Sequence, residues 1–285
     1  MSNEFNIKEQ RNLSMLMDFY ELTMSNGYFV NGVTDTIVYF DMFYRKNPDG
    51  AGFSIAAGLE QLVVFVKNLK FTSGDIDFLR SKGVLSEEFL AYLLAFKFSG
   101  DIYAIPEGTV VFPNEAIVTI KAKVIEAQLI ETMLLLTINH QSLIATKASR
   151  IVRAAKGRPI LELGARRTHG ADAAIMGARA SYIGGVSGTA TTIAEQMYGV
   201  PATGTMAHSW IQFFGDEYKA FETYARTYPD TCTLLVDTYN VITSGIPNAI
   251  KVSKDILQPI GKRLKAIRLD RDRKSTRLNS SHLYD

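Results

Sequence analysis

Leu161-Glu-Leu-Gly-Ala-Arg-Arg-Thr-His-Gly170 opens a stretch that runs to Met206-Ala-His208-Ser-Trp210, and its alternation decides the fold. Leu161–Leu163 is short and mostly apolar and follows Pro159, as the end of a buried strand does. Gly164 breaks it, and Arg166, Arg167 and His169 stand beyond the break. Ala171–Ala180 reads as helix, Tyr182–Ser187 as the next strand, Thr191–Tyr198 as the next helix and Gly204–Met206 as the start of a third strand. Strands alternating with helices imply parallel βαβ units. Ligands in such folds gather at the carboxyl ends of strands, where this reading places Arg166, Ser187 and His208. A single polar residue at a strand end is usually solvated loop; three in successive loops point to a site.

The remainder of the chain sets bounds. Its 285 residues are 47% hydrophobic and 21% charged, ordinary for a globular protein with a real core. The formal charge of +2 argues against nucleic acid as a partner, and the basic residues before the C-terminal tail form no identifiable face. Cys232 is the one cysteine, so no internal disulfide forms, which fits a reducing, cytoplasmic setting. The sequence shows no signal-like N-terminus and no run long enough to span a membrane.

Taken in order, Asn12–Met24 reads as a helix with Leu13, Leu16, Met17 and Tyr20 on one face. Thr36–Tyr44 alternates as a strand, and helices are expected from about Glu60 to Leu69, over Ser73–Leu79 and over Ser86–Phe96. Gly100–Ile105, Val110–Phe112 and Ala116–Lys123, separated by Pro-containing turns, read as a β-meander. Antiparallel strands do not belong among parallel units, so they imply a separate N-terminal domain. Glu126–Lys156 is a long helical stretch whose Glu131–Leu136 segment, apolar nearly all round, is expected to be buried between domains or subunits. Asp216–Tyr228 is an aromatic-rich helix, Thr233–Val236 a strand ending at Asp237, Asp237–Asn240 the opening of another helix, and Lys265–Leu269 a strand with Arg268 and Asp270 at its end. This divides the chain into residues 1–125, a linking helical segment 126–158, a βα region 159–270 and a polar, basic tail 271–285.

Glu162-Leu-Gly-Ala-Arg-Arg167, Tyr182-Ile-Gly-Gly185 and Gly204-Thr-Met-Ala-His-Ser209 resemble nicotinate phosphoribosyltransferase in identity, order and spacing. Asp18-Phe-Tyr-Glu-Leu-Thr23 and Asn139–Lys147 extend the resemblance, which covers Asn12 to Asp270. It implies an α/β chain: an N-terminal α+β sandwich-like domain and an irregular βα barrel, here incomplete, with only five strand starts from Leu161 to Lys265. It implies the ATP-coupled joining of nicotinate to 5-phosphoribosyl-1-pyrophosphate, giving nicotinate mononucleotide and pyrophosphate in NAD biosynthesis. It also implies Mg²⁺ and a homodimer.

Residue by residue, the resemblance places Tyr20 on the pyridine ring and His208 as the histidine phosphorylated by ATP. The chemistry suits these types. A tyrosine stacks on a flat ring, and Arg166 or Arg268 can grip the carboxylate through two parallel bonds. Arg166, Arg167 or Arg268 can also meet the pyrophosphate, and a neutral imidazole is a competent phosphoryl acceptor. Asp237 and Asp270 match acidic positions assigned to the ribose or to metal-pyrophosphate. Ser187 joins the substrate-binding set, and no residues are nominated as metal ligands. His140 is a catalytic candidate that reads better as a histidine at a helix–helix contact, and His169 lies outside the motif. Related nicotinamide-using enzymes carry an aspartate where this chain has Ala190, and its absence favours a carboxylate substrate. No phosphate-binding glycine loop of the Walker type is present.

The Arg268-Leu-Asp270 motif should continue as Ser-Gly-Asp-Leu but meets Arg271. The expectation is that the family sequence is cut at Asp270, that residues 271–285 are foreign or disordered, and that the loop holding the ribose 5-phosphate is missing. An inactive or weakly active fragment follows from that. Two other readings remain: a pyridine-binding module without turnover, and a nicotinamide- or quinolinate-using relative.

Overall fold

The structure, a computed structural model, describes residues 11–270. The chain forms two compact units, one ending at Thr203 and the other beginning at Gly204.

The first unit opens with helix α1 (Phe19–Val30) and strand β1 (Ile37–Met42). Strand β2 (Ser54–Ile55), α2 (Leu59–Asn68), α3 (Ser73–Ser81) and α4 (Glu87–Leu94) follow. Next come β3 (Asp101–Ala104), β4 (Val110–Val111), β5 (Val118–Lys123), α5 (Val124–Gln128) and the long α6 (Glu131–Ala154). The unit ends with β6 (Leu161–Glu162), α7 (Ala171–Ile183), β7 (Gly188–Thr189) and α8 (Thr192–Tyr198).

The antiparallel sheet has the order β1-β5-β3. Alternation sorts its faces: Val118, Ile120 and Ala122 of β5 are buried, while Tyr39 and Tyr103 on the neighbouring strands are exposed. The helices close over the buried face with Leu62, Leu79, Phe89, Leu90, Leu93, Ile125, Ile130 and Ile138. Each such side chain contributes about 1.5–3 kcal/mol by leaving water.

Several local expectations change. The first helix starts at Phe19 rather than Asn12, because Asp18 is extended (φ −69°, ψ 137°) and its amide is taken by the Glu21 carboxylate at 3.4 Å. The three strands expected as a meander do not pair in succession: β3 pairs with β5, and β4 leaves to pair with β2. The long helical stretch breaks at Leu129–Ile130. Leu135 and Leu136 are 44% and 50% exposed in the isolated chain, while Leu134 is buried.

The largest revision concerns residues 182–187. They are not a strand; α7 continues through Ile183, whose side chain packs with Ile55, Ala57, Ala145 and Ala180. Gly184 then touches α6 so closely that a Cβ would lie 2.5 Å from the Ala145 carbonyl oxygen. Strand β7 begins only at Gly188, parallel to β6. Gly204–Met206 is not a strand either. Pairing is used up earlier: Thr189 bridges Ala202, its amide donating to Pro201 at 2.9 Å and its carbonyl accepting from Thr203 at 2.8 Å.

The second unit contains α9 (His208–Phe214), α10 (Glu217–Thr227), β8 (Thr233–Leu235), a π-turn Val241–Gly245 leading into α11 (Ile246–Val252), and β9 (Ala266–Arg268). Strands β8 and β9 are parallel, with Leu235 opposite Arg268. The core under them is Phe221, Cys232, Leu234, Leu235, Val236, Val252 and Leu257. Of the aromatic residues of α10, Phe221 is in this core and Tyr218 and Tyr224 pack against it, and Trp210 meets Tyr224 edge-on at 6.0 Å.

Asp237 does not cap the following helix. Asn240 does, its side-chain Oδ1 accepting the amides of Ile242 at 3.0 Å and Thr243 at 2.9 Å. Gly245 is required there, since a Cβ would overlap the Val236 carbonyl. That close approach pins the β8 end, and with it the loop carrying Asp237. The tail 271–285 lies outside the described residues.

Candidate active site

In the second unit the parallel pair brings four nominated residues together. Strand β8 ends at the loop of Asp237 and Thr238, and β9 ends at Arg268 and leads to Asp270. Asp237 Oδ2 accepts the backbone amide of Asp270 at 2.6 Å, tying one strand end to the other. Arg268 spreads its guanidinium over three acceptors: Asp270 Oδ1 at 3.1 Å, Thr205 Oγ1 at 3.1 Å and the Met206 carbonyl at 3.4 Å. The last two contacts hold the segment that leads to His208, the first residue of α9.

The His208 ring is suspended between two partners. Nδ1 lies 3.0 Å from Thr238 Oγ1, and Nε2 lies 3.5 Å from Asp270 Oδ2. The imidazole remains partly open, its side chain 34% exposed, so a ligand can reach it. The Asp270 carboxylate, bonded to Arg268, faces Nε2, where a ring N–H suits it. One ring nitrogen is thereby left with a lone pair, the minimum a phosphoryl acceptor needs.

The first unit presents a different kind of loop. After β6, residues Ala165–Arg167 form a 3-10 turn. Glu162 builds it: one carboxylate oxygen accepts the Gly164 amide and the other accepts the Thr189 hydroxyl at 2.7 Å. Arg166 and Arg167 are exposed, and their guanidinium groups have no hydrogen-bond or ion-pair partner among the described residues. At the carboxyl end of β7 stands Ala190, exposed, its amide donating to the Glu162 carbonyl at 2.9 Å. Ser187 is at the other end. It precedes β7, and its amide donates to Ile160 at 2.8 Å, so its expected place at a strand carboxyl end is overturned by the longer α7.

Tyr20 is on α1, 43% exposed, and its hydroxyl donates to Glu131 Oε1 at 2.7 Å. That bond, followed by burial, raises the phenol well above its ordinary value. Next to it Glu21 is fully buried, and burial pushes its carboxyl up against the opposing bonds from Thr132 and Asp18. No hydrogen bond or ion pair joins Tyr20 to Arg166 or Arg167 among the described residues. His140 lies half-buried on α6, its Nε2 without a hydrogen-bond partner and unconnected to the nominated set.

Thr238, Thr205, Glu162 and Glu131 were not singled out in the sequence. Thr238, Thr205 and Glu162 lie inside or beside the sequence motifs, but a hydroxyl or carboxylate that serves a neighbour's geometry leaves no pattern of its own.

Comparison with known proteins adds the lineage. Residues 15–139 match the model for the nicotinate phosphoribosyltransferase N-terminal domain, and residues 144–258 match that for the quinolinate phosphoribosyl transferase C-terminal domain. A nicotinate phosphoribosyltransferase of Mycobacterium tuberculosis is 46% identical over 259 residues, covering 90% of this chain and 54% of that protein. One from Bacillus subtilis is 42% identical, covering 88% of this chain and 51% of that one. The chain belongs to the nicotinate phosphoribosyltransferase family.

It spans about half the length of these curated relatives of that family. The structure of human nicotinic acid phosphoribosyltransferase superposes with a TM-score of 0.82 at 28% identity, covering 92% of this chain and 63% of the human one. A nicotinate-nucleotide pyrophosphorylase from Pyrococcus furiosus gives a TM-score of 0.75 at 26% identity, covering 97% of this chain and 62% of the other. The fold class is therefore that of these mixed α/β enzymes, a barrel type with an N-terminal domain.

The family resemblance implies Mg²⁺. Among the described residues no group of three or more His, Cys, Asp or Glu side chains could hold a metal ion. Asp237 and Asp270 are two carboxylates at adjoining strand ends, a donor set that suits Mg²⁺ carried chiefly by substrate phosphates and their waters rather than by a protein cage. No helix of the described residues is long and apolar enough to cross a membrane.

Proposed function

We propose that the protein of which this chain is part joins nicotinate to 5-phosphoribosyl-1-pyrophosphate with ATP hydrolysis, yielding nicotinate mononucleotide and pyrophosphate. The observation that carries this reading is the His208 cluster: an accessible imidazole set between Thr238 and Asp270, with Asp270 held in turn by Arg268.

In the ATP half-reaction, a ring-nitrogen lone pair of His208 forms a bond to the γ-phosphorus while the bond from that phosphorus to the bridging oxygen breaks. The electron pair leaves on ADP, and water later takes the phosphoryl group off the ring as phosphate, breaking the N–P bond and restoring the imidazole. In the ribosyl half-reaction, the pyridine nitrogen attacks the anomeric carbon as pyrophosphate departs, and positive charge builds on the ribose. The carboxylate of Asp237, beside Asp270, suits that charge. Mg²⁺ bound to the pyrophosphate would supply neutralisation of the leaving group.

Nicotinate recognition is assigned to Tyr20 for the ring and to Arg166, with Arg167 or Arg268, for the carboxylate or pyrophosphate. The open guanidinium groups at 166 and 167 support this, since their donors are not consumed by the protein. Ala190 supports a carboxylate substrate over an amide, because an acid there would repel it. Ser187 drops out of the set on its placement. We read the compartment as cytoplasmic from Cys232, a buried free thiol, and the assembly as a homodimer by family resemblance.

The test is turnover by this chain of labelled nicotinate with the ribosyl pyrophosphate, ATP and Mg²⁺. Formation of the labelled mononucleotide together with ADP supports the reading; in this chain it is expected weakly if at all, while phosphate on His208 is expected in either case. Nicotinate binding with no product and no phosphate on His208 would favour a pyridine-binding module instead.

A further inference from the structure

We propose that Thr238 is a positioning residue for His208: its hydroxyl donates to Nδ1 and so holds the imidazole in one orientation and one neutral tautomer, with the proton on Nε2. This rests on His208 as the phosphoryl acceptor for its functional meaning, but not for its geometry.

The argument is one of donors and acceptors. An ionised carboxylate only accepts. Arg268 donates to Asp270 Oδ1 at 3.1 Å, and Asp270 Oδ2 faces Nε2 at 3.5 Å. Placing the single imidazole proton on Nδ1 would turn the Nε2 lone pair toward that carboxylate. Placing it on Nε2 turns an N–H toward it and leaves Nδ1 as an acceptor. At 3.0 Å from Nδ1 the nearest polar group is the Thr238 hydroxyl, which has one proton to give.

The hydroxyl is itself well held. Thr238 is β-branched, which restricts its χ1. Its loop is anchored at one end by β8, and at the other by Asn240, whose side chain takes the amides of Ile242 and Thr243. Beneath it Gly245 sits against the Val236 carbonyl with no room for a side chain. Thr238 thus acts through His208 without needing to touch substrate. Carboxylate and hydroxyl approach the ring from its two nitrogens and together fix its tautomer; the Nδ1 lone pair is then the one that can attack phosphorus, and the Thr238 hydroxyl turns off it as that bond forms.

The experiment is two-bond ¹⁵N–¹H correlation on the labelled full chain, which reports the protonation of each ring nitrogen; a His208→Asn variant assigns the signals. The expected spectrum shows His208 with Nε2 protonated and Nδ1 bare. Thr238→Val keeps the shape, removes the donor and should cut the tautomer ratio about fivefold, the worth of one ordinary hydrogen bond. Thr238→Ser should restore it. A wild-type ring protonated on Nδ1, or an unchanged ratio in Thr238→Val, overturns the inference. Labelling of the same chain from γ-labelled ATP is read separately. Labelling that survives His208→Asn sinks the acceptor reading and leaves the tautomer result to judge Thr238.

Discussion

Arg179 and the pair Arg166–Arg167 belong to the same unit, yet their surroundings are opposite. Arg179 is 8% exposed, and its donors reach Glu107 at 2.6 and 2.9 Å, Glu60 at 2.5 Å and Gln141 at 3.2 Å. It clamps α7 to α2, α6 and the turn at Glu107. Arg166 and Arg167 stand on a turn built by Glu162 through backbone and neighbour contacts, and their own donors remain open. Arg268, in the other unit, lies between these extremes, sharing its donors among Asp270, Thr205 and Met206. The lesson is that an arginine's role is read from how many of its donors the protein consumes.

Substitutions can break or sharpen this ranking. Arg179→Met leaves the half-buried Glu107 without its charge partner and should cost about 1–3 kcal/mol, measured by chemical denaturation. Arg268→Lys loses the fork that spans three acceptors. It should cost only about 1 kcal/mol of stability. It should also lower the rate of phosphate transfer to His208 about tenfold through loosened geometry. Arg166→Ala should leave stability within about 0.5 kcal/mol. Nicotinate affinity should fall at least about tenfold, read by calorimetry, if its donors are kept for a ligand. A large stability loss in Arg166→Ala would erase the contrast with Arg179.

The smallest effect is a pH dependence. Burial raises the Glu107 carboxyl, but the Arg179 bond and charge and the amides of Gly58 and Leu59 outweigh it, leaving the group below its ordinary 4.5. A depressed acid contributes stability that is fully present above its unfolded value and lost as pH falls through the folded one. The melting temperature should therefore drop below about pH 4.5, more steeply in the native chain than in Glu107→Gln. Equal slopes would show that Glu107 is not held by Arg179 in this way.

How far the sequence carried the reading follows from what each signal depends on. Strand β1, helices α2 to α4 and the β8 and β9 strand ends came from local periodicity and caps, which the structure keeps. The strand expected over Tyr182–Ser187 failed because its apolar residues look alike in a strand or a buried helix, and packing on Ala145 decided for helix. The β-meander failed because pairing partners are a long-range property. His208, Asp237, Arg268 and Asp270 were found through motifs and do converge. Thr238 was passed over because a threonine hydroxyl gains meaning only once the imidazole is placed against it.

The most direct test of the central claim is exposure of this chain to γ-labelled ATP and Mg²⁺, followed by acid- and alkali-stability of the label and peptide mapping. The account predicts an acid-labile, alkali-stable phosphate on the peptide containing His208, absent from His208→Asn. Label on the peptides of His140 or His169, or no label in a chain that still makes the mononucleotide, would contradict it.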